Sequence, residues 1–184
     1  MNPVSTVKFT YEDYLLFPED GKRHELIDGE HYMTPAPSTK HQRISGNIFT
    51  ILSNFVKKNK LGEVFYAPCD IIFSDIDVVQ PDIIFISNEN KRIITESNVQ
   101  GSPDLAIEII SETTRKTDKV IKRRLYEKFG VKEYWIIDPV VDTLEVYGPT
   151  EGGYKKVAEY EKGDVLSSEL LKGLTINLAE IFSA

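Results

Sequence analysis

Apolar residues along the chain follow two periods. Ile44, Ile48, Ile51, Leu52, Phe55 and Val56 recur at helical spacing, and Ser38, after Pro35 and Pro37, supplies an oxygen to cap that long helix. Thr10 followed by Glu12 and Asp13 predicts a short N-terminal helix that stops at Pro18. Arg23 to Ile27 and Glu30 to Thr34 flank Asp28-Gly29, a dipeptide that tolerates positive φ at both positions and therefore predicts a tight hairpin. Glu63 to Ala67, Ile71 to Phe73, Asp82 to Ile86 and Leu105 to Ile110 read as strands, several of them apolar on both faces. A helix is predicted from Asp118 to Phe129, ended by Gly130. Strands follow at Tyr134 to Ile137 and Thr143 to Tyr147. The stretches Glu89 to Asn98 and Gly148 to Gly153 read as loops, and the C-terminal apolar residues, Leu170 to Ile181, are expected on the sheet edge.

This mixture predicts an α/β (α+β) fold, with a central mixed β-sheet flanked by helices. No repeat or linker divides the 184 residues, so residues 1–184 read as a single domain large enough to bury a core. Cys69 is the only cysteine, which excludes an internal disulfide and a thiolate zinc site and fits a reducing cytoplasm. Pro3, Lys8, Glu12 and Asp13 interrupt the apolar pattern at the N-terminus, unlike a signal peptide. The longest apolar runs fall far short of the roughly 20 residues that span a bilayer, so no membrane association is expected. A net charge of −7 argues against general polyanion binding but leaves room for a local basic patch.

Glu108 interrupts the strand Leu105-Ala106-Ile107-Glu108-Ile109-Ile110. A carboxylate buried there requires a compensating cation or donors, which a structural salt bridge or a metal can equally provide. Asp82, after Pro81, opens the apolar strand Ile83 to Ile86; it reads either as a turn former or as a second site carboxylate. Two acids on adjacent strands offer oxygen ligands to a hard ion such as Mg²⁺. Between Arg115 and Lys128 the chain concentrates positive charge. On a helix Lys119, Lys122, Arg123 and Tyr126 share one side, with Ile121, Leu125 and Phe129 as the buried stripe. This side is either a solvated face or a substrate-binding one.

Pro81-Asp82, Glu108-Ile109-Ile110 and the basic helix together resemble the PD-(D/E)XK nuclease superfamily. More closely, the chain is similar to the Uma-two family of restriction-endonuclease-like proteins. The matching positions are Glu108-Ile109-Ile110-Ser111, Asp118, Lys122, Tyr126, Gly130-Val131 and Glu133 to Pro139, with His24 to Glu30 and Pro35 to His41 in the N-terminal half. The resemblance implies a restriction-endonuclease-like core and metal-dependent cleavage of DNA. It implies that Asp82 and Glu108 hold Mg²⁺ (or Mn²⁺), with the Ile109 carbonyl as a further ligand. The lysine usual two residues after the glutamate is Ile110 here; Lys122 occupies the position of a migrated lysine that orients the attacking water.

Glu25 shares a hairpin face with Ile27, Glu30 and Tyr32, and either completes the acidic site or is an ordinary hairpin residue. His41 and Gln42, at the start of the long helix, either contact substrate or serve as capping and surface residues. His24 and His31 share the opposite hairpin face without a third ligand and are not read as a zinc site. Tyr134 and Trp135 are expected in the core, and Asp70 is expected to be structural. The alternative function is a catalytically inactive DNA- or protein-binding module on the same fold. Cutting both strands of a duplex would favour a homodimer by symmetry.

Overall fold

Thr10 caps the first helix, α1 (Tyr11–Tyr14), in a capping box with Asp13, whose carboxylate accepts from the Thr10 N–H at 2.8 Å. The computed structural model describes residues 7–183, so Pro3 and its reading as part of the N-terminal pattern lie outside the described residues. Strands β1 (Arg23–Ile27) and β2 (Glu30–Thr34) form the expected hairpin, with φ of 51° at Asp28 and 73° at Gly29. Its register pairs Glu25 with Tyr32 and Ile27 with Glu30. Helix α2 (Thr39–Asn59) begins at Ser38, whose hydroxyl accepts from the His41 N–H. It buries Ile44, Ile48, Leu52 and Val56 and leaves Ile51 and Phe55 at the core margin.

The remaining strands are β3 (Gly62–Tyr66), β4 (Ile71–Ser74), β5 (Asp77–Val79), β6 (Ile83–Ser87), β7 (Val99–Gln100), β8 (Leu105–Ile109), β9 (Glu133–Asp138), β10 (Thr143–Thr150), β11 (Gly153–Glu161), β12 (Val165–Ser167) and β13 (Thr175–Asn177). The expected mixed sheet flanked by helices is present as a six-stranded sheet, accompanied by a five-stranded sheet and a small ribbon. Six strands run in the order β11-β10-β9-β8-β6-β3, five in the order β2-β1-β5-β4-β7, and β12 pairs with β13. In the six-stranded sheet β8 and β9 are parallel. A parallel pair needs a crossover, supplied here by the helical segment between them. Both strands are buried along their whole length, as strands covered on both faces must be.

Alternation along β8 sorts the core into two layers. Leu105, Ile107 and Ile109 face α2 together with Leu166, Leu171, Leu174, Ile176, Leu178 and Ile181. The C-terminal segment, ending in α4 (Leu178–Ile181), therefore covers a face of the sheet beside α2 and does not sit on its edge. Its apolar residues are numerous enough to need a sheet face for burial. On the other side Ala106 and Ile110 meet Leu125, Tyr126, Val131 and Tyr134, together with Ile27, Ile71 and Val79 of the second sheet. Glu108 shares this second side by alternation.

Two further expectations are corrected. The segment Gly148 to Gly153 is largely strand: β10 runs to Thr150 and β11 starts at Gly153, so only a tight turn separates them. The helix expected from Asp118 opens with a wide π-helical turn over Thr117–Lys122 before α3 (Arg123–Lys128). Such turns recur at functional sites. Tyr134 and Trp135 are fully buried, as expected. No helix among the described residues is long and apolar enough to cross a membrane.

Candidate active site

The register that pairs Ile83 with Ile107 on antiparallel β6 and β8 sets Asp82 opposite Glu108 one step further on. Both carboxylates line a cavity of about 470 Å³ between the two sheets, together with Arg23, Glu25, His41, Gln80, Asp118 and Lys122. Asp82, Glu108, Glu25, Asp118 and Lys122 are each 4% exposed or less.

Lys122 is the hub. Its Nζ lies 2.8 Å from Glu108 Oε1, 2.8 Å from Glu25 Oε1 and 3.6 Å from Asp118 Oδ1, which joins β8, β1 and the π-helical turn. Tyr126, one turn further along the helix, donates its hydroxyl to the same Glu108 oxygen at 3.0 Å. Glu25 Oε1 also accepts from the Gln80 N–H at 2.8 Å. Asp82 is held separately: Arg23 Nη1 donates to Oδ1 at 2.6 Å, and Oδ2 accepts from the Ile109 N–H at 2.8 Å and from His41 Nε2 at 3.1 Å. Facing a carboxylate, Nε2 carries the proton, and the buried Nδ1 of His41 makes no hydrogen bond.

These environments push the acids apart. Burial drives the proton affinity of Glu108 well above the ordinary carboxylate range; Lys122 opposes this, and the charges of Asp118, Asp82 and Glu25 add to it. Asp118 is raised to about 6 by burial, against the pull of Lys122. Asp82 is also buried, but the His41 hydrogen bond and charge, Arg23 and the Ile109 N–H outweigh that cost and hold it at about 2. Burial by itself lowers the proton affinity of Lys122. Glu108, Glu25 and Asp118 reverse the effect and hold it firmly as a cation.

Among the residues expected at the site, Asp82, Glu108, Ile109, Lys122, Glu25 and His41 all line this cavity. Gln42, Lys119 and Arg123 do not line it. Gln42 is solvent-exposed on the first turn of α2. Lys119 Nζ lies 3.2 Å from Glu145, and the Arg123 guanidinium stacks 5.7 Å from the Tyr147 ring centre, so both side chains pack on β10. The helical wheel also put Lys122 and Tyr126 on a polar side; both are buried. Ile110, where the superfamily pattern has lysine, packs in the core layer of Leu125 and Tyr126. His24 and His31 stack on the other hairpin face, 2.9 Å apart between Nδ1 and Nε2. Asp70 accepts from the Tyr14 hydroxyl and from Gln80 Nε2, a structural role.

Arg23 joins the cavity without having been singled out in the sequence, and Asp118 joins it as a position of the family resemblance to which no site role was attached. Each had a signal: Arg23 lies two residues before Glu25 on one strand face, and Asp118 lies four before Lys122 on one helix face.

Fold and site together define a mixed α/β protein with a buried acidic centre built around one lysine. The chain belongs to the Uma2 family, described as "Putative restriction endonuclease", whose model matches residues 11–179. Among solved structures it is similar to "a putative nuclease belonging to DUF820 from Anabaena variabilis ATCC 29413". The two share 23% identity at a TM-score of 0.79, over 95% of this chain and 98% of that one. That likeness speaks for the fold. No curated protein matches the chain.

Proposed function

We propose that the protein is a metal-dependent DNA endonuclease with a PD-(D/E)XK-type site whose lysine has migrated from the strand to the helix. The observation that carries this reading is the meeting of Asp82, Glu108 and Lys122 around one cavity, in a member of a family described in nuclease terms.

The donor set fits a hard divalent cation. Four carboxylates, Asp82, Glu108, Glu25 and Asp118, surround two fixed cations, Lys122 and Arg23. Burial, with the charges of Asp118, Asp82 and Glu25 behind it, pushes Glu108 toward its protonated form, and a bound dication would favour the carboxylate instead. Among the described residues no three His, Cys, Asp or Glu side chains form a ready-made metal cage. Mg²⁺ needs none, since it takes one or two carboxylates and keeps waters.

Asp82 and Glu108, with the Ile109 carbonyl, are the residues that would hold Mg²⁺ or Mn²⁺. When bound, the cation supplies an activated water and neutralises charge developing on the phosphate. Lys122, kept protonated, orients by donating hydrogen bonds and is not a general base. Glu25 and Asp118 fix the position of its Nζ, while Arg23 and His41 fix Asp82.

The test is plasmid nicking by the purified protein with Mg²⁺ or Mn²⁺, beside EDTA and Asp82→Ala, Glu108→Ala and Lys122→Ala. Metal-dependent nicking lost in all three variants is expected. Wild type and variants equally inert across metals and DNA forms would overturn the reading in favour of a binding module.

A further inference from the structure

The reacting groups lie at the back of a recess with a built rim. On one side stand Pro35, Ala36 and Pro37, which lead into α2; on the other stand Pro139 and Val140, in the turn between β9 and β10. Lys40, on the first turn of α2, ties the two sides together. Its Nζ donates to the Pro139 carbonyl and lies 3.2 Å from Asp142 Oδ1. The turn is braced from below as well. Arg115 grips Asp138 through both carboxylate oxygens, at 2.6 and 3.2 Å, and Asp138 accepts the Val140 N–H at 3.0 Å.

This braced turn carries Val140 and Val141, 70% and 61% exposed. Adjacent β-branched apolar residues are poor turn formers, and these two contribute little to the core. Val140 lines the cavity and Val141 follows it, next to Asp142, which is paired with both Lys40 and Lys162. That combination suits a nucleic acid: cations for phosphate, an apolar wedge for base faces.

A duplex is a stiff rod of about 50 nm persistence length with its phosphates on a convex surface. Groups that are 4% exposed or less, behind a rim crossed by the Lys40–Asp142 pair, present little surface to phosphates carried on such a rod. A single strand bends freely, and a cavity of about 470 Å³ is on the scale of pockets that enclose one small-molecule-sized group. We infer that the site takes an unpaired nucleotide, as in single-stranded DNA or a flap, and that the Val140-Val141 turn wedges against the first paired bases at a junction. The inference rests on the nuclease reading.

The test uses one labelled strand as a single-stranded oligonucleotide, in a blunt duplex and as a flap, with Mn²⁺. Cleavage of the first and third at least about 10-fold faster than the duplex is expected, with cuts mapped to the unpaired region. The double variant Val140→Ala/Val141→Ala should slow flap cleavage and spare the oligonucleotide. Lys40→Ala should narrow the preference by loosening the rim. Equal or faster cutting of intact duplex, or cuts in its paired part, overturns the inference and leaves the nuclease reading standing. An unchanged flap rate in the valine variant overturns the wedge. If no DNA is cut with any metal, the nuclease reading fails by itself. Fluorescence anisotropy of the same three DNAs with Ca²⁺ then decides: tighter binding of unpaired DNA supports the inference, and equal, tighter-duplex or absent binding overturns it.

Discussion

Lys122 Nζ lies 2.8 Å from Glu25 Oε1, a contact that joins the helix after β8 to the first hairpin of the chain. Through this contact Glu25, on the same strand of the second sheet as Arg23, is joined to Glu108 of the six-stranded one.

Replacing Lys122 tests that junction. Lys122→Met removes the shared cation of three buried carboxylates, and breaking a buried pair in this way costs about 3 to 5 kcal/mol. In urea denaturation with EDTA at pH 8 the variant should lose stability on that scale. The loss should shrink as the pH falls below about 6, where Asp118 takes up a proton, and the raised proton affinity of Glu108 acts in the same direction. A pH-independent loss would show that charge is not its cause.

Asp118 gives a second pH dependence. Its folded value of about 6 stands above the ordinary 3.8, so the folded state holds a proton that the unfolded state has already released. The sign follows: its stability penalty is absent below pH 3.8 and complete above about 6, on the order of 3 kcal/mol. Asp118→Asn should therefore be more stable than wild type at pH 7.5 in EDTA, and the two should converge near pH 4. Asp82, held at about 2, acts only below that window. Equal stability of variant and wild type at pH 7.5 would contradict the assignment.

Metal binding should depend on the two opposed strand carboxylates. Mn²⁺ titrated calorimetrically into Asp82→Asn or Glu108→Gln should bind at least about 10-fold more weakly than into wild type, as loss of one of few carboxylate ligands implies. Retained far-ultraviolet circular dichroism would separate this from unfolding. Unchanged affinity in both variants would remove these residues from the ligand set.

Glu133 provides a structural control away from the cavity. Its carboxylate accepts from Trp135 Nε1 at 2.9 Å, the Leu170 N–H at 2.7 Å and the Ser168 hydroxyl, and so pins the C-terminal segment to β9. Glu133→Ala leaves these donors unpaired, at about 1–3 kcal/mol for a buried group. Thermal denaturation should show the loss and hydrogen exchange should rise around residues 166–171, while any nicking rate below the transition stays unchanged. A nicking rate that falls with stability intact would mean the segment acts on the site.

Local chemistry settled much of this molecule in advance. Asp28-Gly29 tolerates positive φ at both positions and so favours the tight turn, from which the hairpin, its register and the facing of Glu25 follow. Ser38 and the spacing of Ile44, Ile48, Leu52 and Val56 likewise determine α2 and its buried side. Asp82 and Glu108 stood out because a carboxylate in an apolar strand needs a partner, a requirement legible without coordinates.

What only the tertiary structure decided is which residues meet. Helical periodicity gave Lys119, Lys122 and Arg123 one shared side. Packing turned Lys122 inward to Glu108 and Glu25 and laid the other two on Glu145 and Tyr147 of β10. Strand pattern could not tell one sheet from two, because alternation records burial and not the identity of the neighbour. Arg23 and Asp118 have ordinary local surroundings and reach the site only when β1 and the π-helical turn close over β8. Sequence determines local conformation and which side chains must be buried; the partners of a buried charge are set by contacts between segments far apart in the chain.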